Sequence, residues 1–162
     1  MPSNQLFENL HSEYYGMVYQ MCKGFMKGNE DLAADLSQET FINTWRALDK
    51  FQGGSSYKTW IYRITVNTCL KYIRNNKSKM HVSLEEGRSG IEFPTENTTQ
   101  QDNQELYAAI GKLGKMDRLI IMMVLDELEY EEIADVVGIS EGNLRVRIHR
   151  IKKQLKKILN HE

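Results

Sequence analysis

The sequence predicts an all-α fold with two helical domains joined by a flexible linker. Apolar residues recur at helical spacing towards both ends of the chain, and no stretch alternates as a strand does. Between them, residues 78–103 are polar and acidic and include Gly87, Gly90 and Pro94, a composition that cannot bury a core. We therefore expect one domain at residues 5–77, a flexible acidic linker at 78–103 and a second domain at 104–160.

The N-terminal domain is expected to contain three helices. The first is marked by apolar residues at helical spacing, namely Leu6, Leu10, Tyr14, Met17, Val18 and Met21. Asn29 is a suitable N-cap for the second, with Glu30 and Asp31 in its first turn. Its inward face is predicted to hold Ala34, Phe41, Trp45 and Leu48. Gly53 and Gly54 then interrupt the chain, and Ser55 or Ser56 can cap a third helix that runs to about Asn75.

The C-terminal domain is expected to contain four helices. Leu106, Ile110 and Leu113 mark the first, and residues 119–128 form a strongly apolar second. The third spans 131–137 and the fourth 141–159. Gly138 supplies the permissive backbone that a tight turn between two helices needs, and Ser140 can cap the last helix.

The last helix divides into an apolar and a basic face, which predicts a helix-turn-helix. Its inward face carries Leu144, Ile148, Ile151, Leu155 and Ile158. The opposite face carries Gly142, Asn143, Val146, His149, Arg150 and Lys153, with Arg145 and Arg147 on its flanks. A helix of this kind can enter the major groove, where donors reach base edges and cations meet phosphates. The alternative is an ordinary basic surface helix, and His149 by itself is only a candidate base reader.

The third helix carries aromatic and cationic side chains on one stripe: Trp60, Arg63, Asn67, Lys71 and Arg74. Rings stack on exposed bases and cations follow the backbone, so this stripe suits unpaired nucleic acid. The alternative is that Trp60 belongs to the core, as tryptophan usually does. The second helix carries a different stripe, with Asp35, Gln38, Glu39, Ile42 and Arg46. An acidic patch around an exposed isoleucine suits a protein partner, although plain solvated surface is the other interpretation.

The overall charge of −1 conceals two basic blocks. Residues 50–84 contain seven basic side chains and no acid, and a second basic block follows Glu141. Two such blocks predict two anion-binding faces, or else two solvated helix surfaces. Cys22 and Cys69 stand apart in apolar surroundings with no histidine beside them, so we expect buried free thiols and no metal site. The chain shows neither a signal peptide nor a membrane-spanning run, so we expect a cytoplasmic protein without membrane insertion.

Three motifs in order resemble the small extracytoplasmic-function sigma factors. The first is Asp35-Leu36-Ser37-Gln38-Glu39-Thr40-Phe41 with Trp45. The second is Phe51 with residues 57–64 and 66–68, and the third is residues 130–134 with 138–142 and 147–150. The resemblance covers both domains, in the family's order, with a linker between them. It implies region 2 and region 4 of a sigma factor, a non-catalytic subunit that brings RNA polymerase core enzyme to specific promoters for transcription initiation.

The resemblance also implies roles for individual residues. Asp35, Gln38 and Glu39, beside Ile42, would bind the polymerase, with Phe41 and Trp45 in support. Phe51, Trp60, Arg63 and Asn67 would capture the melted minus-10 element, including a flipped base, and Lys71 and Arg74 continue their stripe. Arg145, Arg147, His149 and Arg150 would read the minus-35 duplex, beside Asn143, Val146 and Lys153 on the same face. Relatives are usually held inactive by an anti-sigma factor, so we expect such a partner and no cofactor.

Two other classes of protein stand beside this interpretation. A conventional helix-turn-helix regulator would bind duplex DNA without polymerase, but it leaves the stripes of the second and third helices unexplained. An enzyme acting on nucleic acid would need a metal-ligand cluster, paired carboxylates in an apolar setting, a P-loop or a triad, and the sequence shows none of these patterns. Dependence on core polymerase for promoter opening separates the sigma factor from the regulator.

Overall fold

The computed structural model describes residues 4–76 and 98–160, and the side chains of the second range from residue 103 onward. All regular structure in these ranges is helical, as predicted. The α-helices are α1 (Asn4–Phe25), α2 (Glu30–Ala47), α3 (Tyr57–Asn75), α4 (Thr98–Gly111), α5 (Lys115–Leu125), α6 (Tyr130–Val137) and α7 (Glu141–Asn160). A short 3-10 helix, Leu48–Lys50, follows α2.

The predicted caps of the N-terminal helices are confirmed. Asn29 precedes α2, and its Oδ1 accepts a hydrogen bond of 3.0 Å from the backbone amide of Leu32. Of the two serines proposed for α3, Ser56 is the cap, and its Oγ accepts from the amide of Thr59 at 3.1 Å. Each cap satisfies an amide that the first turn of a helix leaves without a partner. These local contacts begin α2 and α3 where the sequence predicts.

The inward face of α2 differs from the predicted one. Phe41 and Leu48 are buried, but Ala34 is exposed and Trp45 is 39% exposed. The face instead holds Ala33 and Leu36 together with three hydroxyl residues, Ser37, Thr40 and Thr44. Each hydroxyl donates to the carbonyl four residues earlier at 2.7–2.8 Å, so its burial leaves no donor unpaired. Small satisfied hydroxyls allow α2 to pack closely against α1 and α3.

The boundaries of α4 and α5 differ from the expected positions. Helix α4 begins at Thr98, within the segment assigned to the linker, and residues 78–97 of that segment lie outside the described residues. Helix α5 ends at Leu125 and not at Leu128, because Glu127 adopts a left-handed backbone with φ of 63°. Leu128 is nevertheless buried. Leu128, which follows the helix, therefore adds to the apolar face of α5.

The helix-turn-helix is formed by α6 and α7. Gly138 follows α6 with φ of 78°, a left-handed conformation that residues with a Cβ atom disfavour. Ser140 Oγ accepts from the amide of Asn143 at 3.1 Å and starts α7, as predicted. Leu144, Ile148 and Ile151 of α7 are buried against the preceding helices. The turn and the cap together orient α7 with its apolar face inward.

The N-terminal and C-terminal helices pack against each other around one continuous hydrophobic core. Helix α1 contacts α4 and α5, and α3 contacts α6. The buried Arg118 of α5 reaches across, because its Nε donates to the carbonyl of Phe25 at the end of α1 at 2.9 Å. Its Nη1 donates to the carbonyl of Leu113 at 2.7 Å. Among the helices described, none is both long and apolar enough to cross a membrane.

Candidate nucleic-acid interface

The outward face of α7 is exposed along its length. Asn143, Val146, His149, Arg150 and Lys153 are all exposed, and Val146 shows 53% of its surface. Val146 is thus an apolar side chain that stands exposed among polar and basic ones. The face predicted for the major groove therefore lies on the surface, as such contact requires.

Two arginines at the flanks of this face are held by neighbours. Arg145 pairs with Glu141 at 3.0 Å, one turn earlier, and lies 5.2 Å from the centre of the Tyr130 ring. The Nε atom of Arg147 donates to Oδ1 of Asp117 on α5 at 2.7 Å. These contacts orient both guanidinium groups beside the outward face. By contrast, His149, Arg150 and Lys153 form no hydrogen bond or ion pair with the described residues, which leaves their donors available.

Three aromatic rings lie together at the start of α3. The rings of Phe51 and Tyr57 stack with centroids 4.4 Å apart and planes 26° apart. Trp60 lies 4.9 Å from Phe51 and 6.3 Å from Tyr57, tilted towards both. All three side chains are half-buried. Trp60 is therefore neither a core residue nor a free surface ring, because one side packs on its neighbours and the other remains accessible.

The rest of the predicted α3 stripe lies on the same side of the helix. Asn67, Lys71 and Arg74 are exposed, whereas Arg63 is half-buried and pairs with Asp135 of α6. The stripe therefore begins with an aromatic group and continues as a polar and cationic track. Behind it, Asn43 Nδ2 donates to Thr68 Oγ1 at 3.0 Å and fixes α3 against α2.

The acidic stripe of α2 is exposed on a different side. Asp35, Gln38 and Glu39 are exposed, and Ile42 shows 42% of its surface. Trp45, expected inside, lies at the edge of this stripe, where it packs edge-on against Phe7 with centroids 5.2 Å apart. The two exposed apolar groups lie within a polar and acidic surface, an arrangement typical of protein-binding patches.

The acids of the C-terminal helices contact the start of α3, which the sequence reasoning missed. Tyr62 of α3 is buried and donates its hydroxyl to Asp126. Burial, the hydrogen bond and the negative charge of Asp126 together raise the pKa of Tyr62. Lys58 lies 3.5 Å from the same carboxylate, and Thr59 Oγ1 donates to Glu132 Oε2 at 2.9 Å. The sequence shows that these residues are acidic, but their partners on α3 depend on the fold.

Reactive chemistry is not apparent in the described residues. Cys22 and Cys69 are free and buried, as predicted, and the hydrogen bond with Cys22, followed by burial, raises the pKa of Cys69. A thiol with a raised pKa is a poor nucleophile. Within residues 4–76 and 98–160, no three His, Cys, Asp or Glu side chains are grouped as metal ligands would be. The exposed faces offer binding groups, namely stacked rings, cations and amides.

Comparison with known proteins assigns a family to both halves of the chain. The family model "Sigma-70 region 2" matches residues 10–79, and "Sigma-70, region 4" matches residues 103–155. Among solved structures, the sigma factor RpoE of Bartonella quintana, crystallised with the anti-sigma factor NepR, superposes with a TM-score of 0.75 at 24% identity, covering 95% of this chain and 96% of that one. CnrH, in complex with the cytosolic domain of CnrY, gives 0.73 at 22%, covering 99% and 91%. These likenesses show the fold.

Curated relatives extend the match to the sequence. SigW of Bacillus subtilis is 29% identical over 94% of this chain and 88% of its own length. SigE of Mycolicibacterium smegmatis is 31% identical over 98% of this chain, which spans only 62% of that longer protein. The sigma-E factor of Escherichia coli is 34% identical over 75% of this chain and 70% of its own length. Both sigma regions match in order, and these three relatives are all ECF RNA polymerase sigma factors. The protein therefore belongs to the extracytoplasmic-function (ECF) family of RNA polymerase sigma factors.

Proposed function

We propose that this chain directs RNA polymerase core enzyme to specific promoters for transcription initiation and catalyses no reaction itself. The observation that supports the proposal is that one chain of this family carries two accessible faces whose side chains suit two different forms of nucleic acid. Helix α7 presents free donors on a convex surface suited to a duplex groove. Helix α3 presents half-buried rings followed by cations, which suit a strand without its complement.

On α7, the free side chains are the candidates for reading minus-35 bases. His149 and Arg150 lie on the exposed face without a partner in the described structure, and Val146 offers its methyl groups to a thymine methyl. Arg145 and Arg147 are oriented by Glu141 and Asp117, and their place at the flanks suits phosphate contact. Asn143 and Lys153 extend the face towards either end of the helix.

On α3, the ring cluster is the candidate site for an unstacked minus-10 base. Phe51 and Trp60 offer aromatic surfaces 4.9 Å apart, and Asn67 supplies an amide on the same side of the helix. Stacking on such rings contributes roughly 1–3 kcal/mol per base, which offsets the cost of removing a base from the duplex. Arg63, Lys71 and Arg74 would then follow the phosphates of the strand.

Helix α2 is the candidate surface for the polymerase. Asp35, Gln38 and Glu39 present acceptors and an amide around Ile42, and all four side chains are exposed. A desolvated apolar group inside a charged rim is a common form of protein interface. The solved neighbour RpoE was crystallised with the anti-sigma factor NepR, and we extend that kind of partner to this chain. Because it would act on core enzyme and DNA, we propose that the protein works in the cytoplasm.

In vitro transcription on a library of duplex promoters tests the proposal. Core enzyme with this chain should yield transcripts from a sequence-defined subset, and core enzyme alone should not. Transcripts that form equally well without the chain would contradict the proposal. A mobility shift of duplex DNA by the chain alone, with no dependence on core enzyme, would also contradict it and would favour a conventional regulator.

The polymerase face has a matched control on α1. Asp35→Ala with Gln38→Ala should weaken retention on immobilised core enzyme, since it removes exposed polar groups from the proposed contact. Gln5→Ala with Glu8→Ala removes an amide and an acid at the same spacing from another exposed surface and should leave retention unchanged. Equal retention of both variants would contradict the assignment of α2.

The α7 face is tested by comparing base reading with phosphate contact. Arg150→Ala should cost about 1–3 kcal/mol of discrimination between the preferred duplex and a variant at the contacted base. Lys153→Ala should weaken binding to both duplexes by the same factor. A uniform loss in the Arg150→Ala variant would reassign that arginine to the phosphates.

A further inference from the structure

We propose that Val146 makes the outward face of α7 sensitive to the C5-methyl group of a pyrimidine in the major groove. At one position of the minus-35 duplex, thymine is preferred over uracil and 5-methylcytosine over cytosine, so C5 methylation of a cytosine there strengthens binding. The inference rests on the proposed function and deepens it, because it names the chemical group that one residue of the duplex-reading face recognises. It adds a dependence on base modification to the choice of promoter.

Val146 is an aliphatic side chain at the centre of a polar surface. It shows 53% of its surface, and no other large apolar side chain of the described residues is more exposed. Asn143 lies one turn before it, and His149 and Arg150 lie one turn after it, all of them exposed. A valine in a helix has one strongly preferred rotamer, so its methyl groups occupy a fixed position on this face. The face therefore carries one rigid apolar contact point among groups that form hydrogen bonds.

Two arginines lie on either side of this contact point. Neighbouring residues of an α-helix are about 100° apart around its axis, so Arg145 and Arg147 flank Val146 on opposite sides. Arg145 pairs with Glu141 at 3.0 Å, and Asp117 Oδ1 accepts from Arg147 Nε at 2.7 Å. Guanidinium groups held on both sides suit the phosphates along the two walls of a major groove. With the arginines at the walls, Val146 faces the base edges between them.

An aliphatic side chain recognises the methyl group and nothing else on the pyrimidine. Thymine carries its C5-methyl group in the major groove, and 5-methylcytosine carries the same group on the same ring atom. The valine side chain has no hydrogen-bond donor or acceptor, so it does not distinguish the O4 carbonyl of thymine from the N4 amino group of cytosine. Val146 therefore responds to the presence of the methyl group in either base.

Arg150 defines where the methyl group lies. Residues four apart on a helix have Cβ atoms about 5–6 Å apart, which is between one and two base-pair steps of about 3.4 Å. An arginine that donates to O6 and N7 of a guanine therefore places Val146 over a base pair one or two steps away. The recognised feature is a guanine with a 5-methylpyrimidine at that distance.

Paired duplexes that differ by one methyl group test the inference. A minus-35 element is first selected from a promoter library by wild-type chain with core enzyme, and the minus-10 half of each fragment is kept unmodified. Each thymine of the selected element is then replaced singly by deoxyuridine, and each cytosine singly by 5-methylcytosine. Competition between the modified and unmodified fragments for the chain with core enzyme gives the ratio of the two affinities.

We expect one position at which the methylated base binds about fourfold more tightly than its partner without the methyl group, the gain from burying a single methyl-sized group. Replacing a thymine at that position by cytosine, with guanine opposite, should give the same ratio between 5-methylcytosine and cytosine. Val146→Ala should bring both ratios close to unity. Leu159→Ala, the matched control, removes an exposed apolar side chain near the end of the same helix and should leave both ratios unchanged.

Equal affinity within every methyl pair would overturn the inference, and so would a methyl effect that Val146→Ala retains in full. Weaker retention of Val146→Ala on immobilised core enzyme, together with an unchanged methyl ratio, would reassign Val146 to a protein contact and also overturn it.

Transcription with core enzyme on the unmodified promoters, measured in parallel, separates the two proposals. If wild-type chain gives promoter-dependent transcripts without a methyl effect, the methyl inference alone is wrong. If no transcript depends on the chain, the proposed function is wrong. The duplex is then selected with the chain alone, whose α7 face is exposed, and the same methyl pairs decide whether Val146 reads the methyl group.

Discussion

Arg118 is the buried cation that joins the two halves of the protein, and its replacement by methionine tests that role. The guanidinium donates to the carbonyls of Phe25 and Leu113 at 2.9 and 2.7 Å and lies 5.0 Å from the centre of the Phe25 ring. Hydrogen bonds from a charged donor contribute about 1.5–3 kcal/mol each, so two of them give roughly 3–6 kcal/mol. Burial lowers the pKa of Arg118, which reflects the cost of desolvating the cation. Methionine recovers that cost and keeps apolar contact.

We therefore expect Arg118→Met to reduce the free energy of unfolding by about 2–4 kcal/mol. In a chain of this size, that loss corresponds to a decrease in Tm of roughly 4–16 °C, measured by circular dichroism. Arg150→Met removes an exposed guanidinium and should change stability by no more than about 0.5 kcal/mol. A Tm for Arg118→Met equal to that of wild type would refute the reasoning, because the two hydrogen bonds would then contribute nothing beyond the cost of burying the charge.

Three further perturbations test local features of the fold. Gly138→Ala should reduce the free energy of unfolding in urea by about 1–2 kcal/mol, because φ is 78° at this residue. Gly142→Ala lies inside α7 with open space around it and should raise that free energy by up to about 1 kcal/mol. A loss of stability in both variants would contradict the role of the turn. Asn29→Ala should cost about 1 kcal/mol by removing the cap of α2, and Asn29→Asp should retain it; equal urea midpoints in both variants would contradict the cap. Because the folded pKa of Tyr62 is raised above its ordinary 10.0, the stability that it contributes is complete below about pH 10 and falls as pH rises further. Tyr62→Phe should thus lose less stability above that pH than Tyr130→Phe, and parallel losses would count against the burial of the Tyr62 hydroxyl.

The local features of this fold could be predicted from the sequence because they depend on neighbouring residues. Caps at Asn29, Ser56 and Ser140 need only a side-chain oxygen close to an unpaired amide. Gly138 provides its turn through its own backbone freedom. The apolar register of α7 likewise follows from its own spacing, and the outward face that this register leaves is exposed.

The inward face of α2 was mispredicted because hydropathy treats hydroxyl side chains as polar. Ser37, Thr40 and Thr44 donate to carbonyls of their own helix, which removes most of the cost of burying them. The same reasoning placed Trp45 inside by residue type, whereas its position on α2 leaves it beside Ile42 on the exposed stripe. A pattern search that allows buried serine and threonine would have selected the correct face.

The packing of the two halves could not be predicted because it depends on residues far apart in the chain. Asp126 and Asp135 are acidic residues in an acidic segment, and only the fold brings them to Lys58 and Arg63. Arg118 is a basic residue that the fold buries, and the carbonyls that accept its hydrogen bonds belong to Phe25 at the end of α1 and to Leu113 after α4. Composition alone likewise does not define where the linker ends, since α4 begins at Thr98, inside the segment that composition assigned to the linker.

The central claim is that α3 holds an unpaired strand while α7 holds the duplex, and permanganate reactivity of promoter thymines tests it most directly. With core enzyme and this chain, thymines of the minus-10 element should become reactive. Trp60→Ala should abolish that reactivity while the minus-35 duplex stays protected from nuclease, and Trp60→Phe should restore part of it. Full thymine reactivity with Trp60→Ala, or opening by the chain without core enzyme, would contradict the account.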